Sequence, residues 1–355
     1  MSILPPKELS ANLDFLRAVA VLLVFLSHFS MPHHNNLGIT GLGIFGVVIF
    51  FVHTSFVLMA SLERLEKTAG NDRSLVLAFW IRRIFRIYPL AIFFVVLVVI
   101  FHIPISIDGI YTWIGLKGFL SNLALIQNLT GSKDTISVLW TLPIEMQMYL
   151  ILPFAYFAIR GDRHLRSLAL WVLSVLLAFS SLLFFKNLSL FFYAPCFTSG
   201  IVAFDLVHCK SRKWKLPAWS WPIGIFSIIA LTGPHYEVIS GTKFLRAWVL
   251  SLLLGVLYAN VEESRPNWTH KLFHWISEHS YGIYLSHVFV FWFAFCQMDR
   301  FPLWTQFMAL IIGAIGVPAI LYISIEKPMI LAGGHLARRL LRHSALRKER
   351  QLARR

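Results

Sequence analysis

Of 355 residues, 57% are hydrophobic and only 14% charged, whereas a soluble domain carries roughly 25% charged residues; the chain therefore reads as an integral membrane protein. A formal net charge of +15 does not point to nucleic acid here, because the lysines and arginines fall between apolar segments instead of gathering on one soluble face. Three cysteines, Cys196, Cys209 and Cys296, lie in or beside apolar runs without disulfide or metal-ligand spacing, so they read as packing residues and no metal site is expected.

Ten apolar stretches of about spanning length follow one another: roughly residues 11–31, 39–61, 86–104, 138–158, 167–185, 188–207, 217–233, 243–260, 277–297 and 303–325. The opening MSILPPKELSAN lacks a basic region leading into a short cleavable run, so the first stretch is expected to be a retained anchor. Ten crossings put both termini on one side. If that side is cytoplasmic it holds 26 of the lysines and arginines, and the other side holds six: Lys117, Lys133, Lys186, Lys243, Arg246 and Arg300. The positive-inside rule thus favours an all-α bundle of about ten transmembrane helices with cytoplasmic termini.

No gap between the stretches accommodates a second soluble domain. Residues 1–330 are expected to form one transmembrane domain, followed by a basic tail, 331–355, in which Arg338, Arg339, Arg342, Arg347, Lys348, Arg350, Arg354 and Arg355 alternate with leucines. That pattern fits a helix lying on anionic lipid. No solenoid, heptad, P-loop or nucleotide-binding glycine fingerprint occurs.

In the first stretch, LDFLRAVAVLLVFLSHF, Arg17 and His28 are eleven residues apart. That spacing closes three helical turns plus about 20°, so both side chains share a face, roughly 16 Å apart along the axis. Ionisable groups inside a membrane segment are costly and mark functional sites by default; the plain alternative is an arginine snorkelling to the interface and a histidine at the helix end. His53, in FFVHTSF, lies too deep in the second stretch for a simple interface residue. Arg82, Arg83 and Arg86, in WIRRIFRIYPL, open the third, where spacings of three and four set them on adjoining faces. Such a cluster holds phosphates through forked hydrogen bonds, although topology alone also places arginines at that surface.

Glu145, in LWTLPIEMQMY, falls about seven residues, or roughly 10 Å, inside the fourth stretch from the outer face. His28 approaches the same face, so the carboxylate is expected to orient the imidazole as its basic partner. The structural alternative is a buried glutamate satisfied by Trp140, Tyr149 or an arginine. In the ninth stretch Tyr281, Tyr284 and His287 recur every three residues, a stripe that serves as packing or as support for a site.

Taken in order, these segments resemble the membrane-bound acyltransferase family 3, the O-acyltransferases of bacterial surface glycans. The resemblance rests on LDFLRAVAVLLVFLSHF, GVVIFFVHTSFVL, RRIFRIYPL, LWTLPIEMQMYLILP, SYGIYLSH and IEKP (Ile325 to Pro328), and covers nearly the whole chain. It implies a ten-helix enzyme carrying an acyl group, usually acetyl, from cytoplasmic acyl-coenzyme A to a carbohydrate hydroxyl of a polysaccharide, O-antigen or lipid-linked glycan. His28 matches the family's essential histidine, Arg17 its first-helix arginine, Arg83 and Arg86 its arginine pair, and Glu145 the first glutamate of its tryptophan and tyrosine motif.

There are departures: Val48 stands where an acidic or polar residue is usual, Thr54 and Ser55 where a Ser-Gly pair is usual, and Met146 where a second glutamate is common. They bear on acceptor handling more than on reaction class. The soluble esterase-like domain that some relatives carry after the membrane part is not expected here. The resemblance implies, in a bacterial inner membrane, catalysis by His28 with Glu145 and donor binding by Arg17, Arg83 and Arg86; His53, Trp140, Tyr149, Tyr284 and His287 are expected to support the site. Acyl-CoA would be a substrate, with no permanently bound cofactor. A rival reading is a transporter or flippase for a glycan or lipid-linked precursor, whose polar groups line a path, but no inverted repeat supports it; a membrane scaffold leaves Glu145 and His28 without an account.

Overall fold

The computed structural model describes residues 10–29, 40–103, 111–160, 163–184, 189–208, 215–232, 243–265 and 267–352. Cys209, Lys7, Lys186, Lys210, Arg212, Lys213, Arg354 and Arg355 lie outside the described residues. Those described are helical and contain no strand, only an isolated bridge between Leu216 and Val261.

Thirteen helices occur among them: α1 (Ala11–Phe29), α2 (Thr40–Glu66), α3 (Asp72–Phe101), α4 (Gly115–Leu123), α5 (Gln127–Thr130), α6 (Thr141–Ile159), α7 (Arg163–Phe184), α8 (Ser189–His208), α9 (Ser220–Thr232), α10 (Lys243–Asn260), α11 (Trp268–Phe291), α12 (Leu303–Leu321) and α13 (Lys327–Leu352). Six helical stretches are long and apolar enough to cross a membrane: Ala11–Phe29, Gly41–Glu66, Asp72–Phe101, Ser137–Ile159, Ser189–His208 and Leu303–Arg350. The chain is therefore a multi-pass membrane protein by composition and helix length. Each of the other four expected stretches is also helical, within α7, α9, α10 and α11. Leu165–Ser181, Ser220–Leu231 and Phe244–Asn260 are shorter apolar helices, and α11 is diluted by His270, His274 and His279.

Close crossings build the bundle. α1 packs between α2 and α11, α2 runs on to α8, and α8 packs against α7 and α10. At the first crossing a Cβ on Gly46 would stand 2.5 Å from the carbonyl oxygen of Ala20; at the α2–α8 crossing one on Gly200 would stand 1.9 Å from Ser55 Oγ and 2.3 Å from the carbonyl oxygen of Val52. Small residues of this kind let membrane helices approach backbone to backbone, where lipid supplies no hydrophobic drive.

Three expectations about element ends change. α3 begins at Asp72 instead of Arg86, because Asn71 supplies a capping box: its Oδ1 accepts from Ser74 N at 2.8 Å, while Ser74 Oγ accepts from Asn71 N at 3.4 Å. The arginine cluster therefore sits three to four turns into α3. Second, the segment before α6, expected on the outer side, is folded and partly buried. Asn122, fully buried, donates to the carbonyls of Gly118 and Lys133 at 2.9 Å and accepts from Thr135 N at 3.0 Å, and the 3₁₀ turn Ser137–Trp140 has Val138 and Leu139 in the core.

Third, the basic C-terminal segment continues from α12 through a π turn at Tyr322–Glu326 into α13, which packs on α3. Ala337 and Leu341 are buried in that contact, and Asn71 Nδ2 donates to Ser344 Oγ at 3.1 Å. One face of the segment expected to lie on lipid thus belongs to the bundle. Cys196 is buried and Cys296 half-buried, and neither is in a disulfide among the described residues.

Candidate active site

Five helices, α1, α2, α3, α6 and α11, surround a cleft of about 710 Å³, its open mouth included. Arg17, His53, Arg83, Arg86, Glu145, Tyr149 and Tyr284 all line it, with Thr54, Ser280 and Tyr281 beside them. Seven of the residues singled out from sequence thus meet at one place.

The cleft is cationic. Arg17 and Arg83 make no hydrogen bond or ion pair to another described side chain, and the Nε of each is buried without a partner. Unpaired guanidiniums within a low-dielectric bundle are costly, and their forked N–H groups suit a polyanion. Arg86 is held differently: its Nη1 lies 2.9 Å from Glu326 Oε2, its guanidinium stands 5.8 Å from the centre of the Tyr281 ring, and the Glu326 side chain is wholly buried.

Glu145 accepts a hydrogen bond from the Tyr149 hydroxyl at 2.7 Å, one helical turn away, and its electrostatic neighbours are Arg17 and Arg86. The structure does not bring it to His28, as its depth in the sequence had suggested. Counting inward from the outer end of the apolar run misplaced it, because the turn preceding α6 is already buried and the Tyr284 hydroxyl donates to the Val138 carbonyl there at 2.8 Å. Glu145 therefore sits at the level of Arg17. Trp140 does not reach Glu145 either; its ring packs on Tyr193, with centroids 5.5 Å apart.

His28 lies outside the cleft lining, near the end of α1. Its partner is His287, whose ring centre is 4.9 Å away and nearly perpendicular. His28 Nδ1 lies 2.9 Å from the Val24 carbonyl, and His287 Nδ1 lies 3.1 Å from that of Ile283. A carbonyl only accepts, so in the neutral rings each Nδ1 carries the proton and each Nε2 a free lone pair. His287 Nε2 is buried with no partner, and Phe25, Phe29 and Phe291 pack around the pair.

Of the departures in the second helix, Val48 is core, Thr54 lines the cleft, and Ser55 is the wedge at Gly200. The residue missed from sequence is Glu326. Its signal was a carboxylate at the edge of the last apolar run, in IEKP, to which no role was attached. Glu326→Ala should lower stability by about 3–5 kcal/mol, since it strands a mostly buried guanidinium; Glu326→Gln should cost less, and Arg86→Ala combined with Glu326→Ala should cost less than the two single changes added. Melting curves of the detergent-purified variants measure all three, and strict additivity would show that the pair is not coupled.

A family model described as an acyltransferase domain matches residues 10–323. Among curated proteins, the chain is 31% identical over 155 residues to YrhL of Bacillus subtilis (strain 168), whose name assigns it to peptidoglycan O-acetylation, covering 40% of this chain and 23% of that protein. It is 30% identical over 173 residues to the acyltransferase MdmB of Streptomyces mycarofaciens, covering 44% of this chain and 42% of that one. Nodulation protein 10 of Rhizobium leguminosarum bv. viciae is 24% identical over 372 aligned positions, 93% of this chain and 96% of that protein. The chain thus spans less than half the length of the first two relatives. No solved structure matches.

Proposed function

The chain belongs to acyltransferase family 3, and from that premise we propose that it transfers an acyl group, acetyl in the first instance, from acyl-coenzyme A to a carbohydrate hydroxyl of a surface or exported glycan. The single observation supporting this most is the cleft in which Arg17 and Arg83 stand without a hydrogen bond or ion-pair contact to another described side chain, while His28 lies three turns along α1 on the same face as Arg17. Cations gathered at one level and a bare imidazole nitrogen at another suit a long donor with phosphates at one end and a thioester at the other.

In this reading the donor's phosphates rest on Arg83 and Arg17, with Arg86 tethered to Glu326 beside them, and the pantetheine arm runs along α1 toward His28. His28 Nε2 removes the proton of the acceptor hydroxyl as its oxygen attacks the thioester carbon. The new C–O bond forms, the C–S bond breaks, and the departing thiolate takes the proton back from the imidazolium. Transfer through an acyl-histidine uses the same nitrogen as nucleophile. Glu145 and Tyr149 act on the donor side, balancing Arg17 and Arg86, while His287 holds the wall against which His28 is set. The ten-helix count, the cytoplasmic termini and the inner-membrane location belong to the same proposal, since they put donor and acceptor on opposite faces.

The test uses purified protein in detergent with radiolabelled acetyl-coenzyme A. Binding and slow hydrolysis are expected from an acyltransferase lacking its acceptor, and a transporter or scaffold shows no hydrolysis. Arg83→Ala should weaken donor binding by about tenfold to a hundredfold, the equivalent of losing one charge-assisted contact of about 1.5–3 kcal/mol. Isothermal titration showing the wild-type affinity in that variant would remove Arg83 from the donor site.

A further inference from the structure

Arg82 and Arg83 are adjacent in α3 and therefore about 100° apart around it. Arg83 enters the cleft; Arg82 does not. Its surroundings come from two other helices. α13 runs antiparallel along α3: a Cβ on Gly333 would lie 2.5 Å from that of Phe85, and Ser344 reaches Asn71 eleven residues further along. Between these anchors Ala337 and Leu341 are buried and Arg338 half-buried, its Nη1 turned back toward Gly334, 3.6 Å from where a Cβ there would stand. That direction carries the Arg338 guanidinium to the level of Arg82. Arg64, in the last turn of α2, is the third cation, and Arg82 lies within electrostatic reach of both.

Acids at this end of α2 and α3 are engaged elsewhere. Glu63 faces His208 Nε2 at 3.2 Å, Glu66 holds Arg160 at 2.7 Å and accepts from the Tyr156 hydroxyl, and Asp72 holds Arg160 at 2.9 Å. Arg82 Nε is buried without a partner. Positive-inside topology explains arginines dissolved in water or headgroups; it does not explain an arginine with a buried unpaired nitrogen that has one further arginine from each of two other helices within electrostatic reach.

We propose that Arg64, Arg82 and Arg338 form a second phosphate-binding subsite, outside the cleft and contiguous with it through Arg83, that takes a phosphate ester. Its assignment to the donor rests on the acyl-coenzyme A reading above: coenzyme A carries a 3′-phosphate apart from its pyrophosphate, so a donor with its pyrophosphate on Arg17 and Arg83 has a second anionic group to place. The headgroup of an anionic phospholipid offers the same chemistry. Either source makes α13 part of the ligand site, coupling the C-terminal helix to occupancy.

The test compares wild type with Arg64→Gln, Arg338→Gln and the Arg82→Gln/Arg338→Gln pair, using isothermal titration with coenzyme A, 3′-dephospho-coenzyme A and inorganic pyrophosphate, and native mass spectrometry of phosphatidylglycerol retained from nanodiscs. Arg64 is exposed and Arg338 half-buried at the surface, so the single variants test the site without disturbing the core. If the donor occupies the subsite, each single variant weakens coenzyme A by about tenfold and leaves the dephospho form nearly unchanged. If a lipid occupies it, coenzyme A affinity stays and the retained phosphatidylglycerol falls. Wild-type protein that retains phosphatidylglycerol but does not bind coenzyme A refutes the donor reading; the subsite is then upheld by loss of that lipid in the variants and overturned by its retention. Unaltered coenzyme A, pyrophosphate and lipid binding in all variants overturns the subsite.

Discussion

Replacing His28 by alanine is expected to abolish acyl transfer while leaving insertion and donor affinity close to wild type. Removing a general base costs about 10²–10⁴ in rate, and more if the same nitrogen carries the acyl group. Among the described residues the side chain bonds only to its own turn, to Val24 and Ser27, and it lies outside the arginine cleft, so its loss breaks no inter-helix hydrogen bond among them and removes no cation from the donor's end. Acylated product should disappear at unchanged expression and unchanged coenzyme A affinity. Wild-type product from a normally expressed variant would end the catalytic assignment, and a fall in donor affinity matching the fall in rate would move His28 into the donor site.

Gly200→Val should be among the most damaging single changes to the fold. The added Cβ would fall 1.9 Å from Ser55 Oγ and 2.3 Å from the Val52 carbonyl, a backbone atom within α2 that cannot rotate away. Overpacking by side chains alone costs about 1–3 kcal/mol, and a clash with backbone has no rotamer to relieve it, so a loss above about 3 kcal/mol is expected. The α2–α8 crossing also sets His53 and Thr54 against the cleft, so activity should go with stability. Gly316→Val is the control, because nothing lies within 4 Å of a Cβ there. Size-exclusion profiles and melting of the two variants in detergent should separate them sharply; similar behaviour would show that the crossing tolerates a wider gap.

Single elements show what the sequence settles. Apolar runs fix helix positions because a membrane leaves the backbone one local way to satisfy its own hydrogen bonds, and this needs no knowledge of neighbours. All ten runs are accordingly helical, and the cost of burying charge made Arg17, Arg83, Arg86 and Glu145 conspicuous before any contact was visible. The Arg17–His28 face followed from helical periodicity alone.

What depended on tertiary structure was depth and pairing. Glu145 was legible as a site residue but not as the partner of Tyr149 at Arg17's level, because the segment before α6 folds against the bundle through hydrogen bonds such as Asn122 to the Lys133 carbonyl, five residues before the apolar run begins. His28 meets His287 only because α1 packs on α11, some 260 residues later in the chain. Glu326 reaches Arg86 through a π turn that no periodicity announces, and α13 lies on α3 because Gly333 permits its approach to Phe85. Local hydrogen bonding and the expense of buried charge are properties of a segment, so the sequence by itself determined which segments are helices and which residues are conspicuous; the register between segments is a property of packed surfaces, and only the fold decided which of those residues meet.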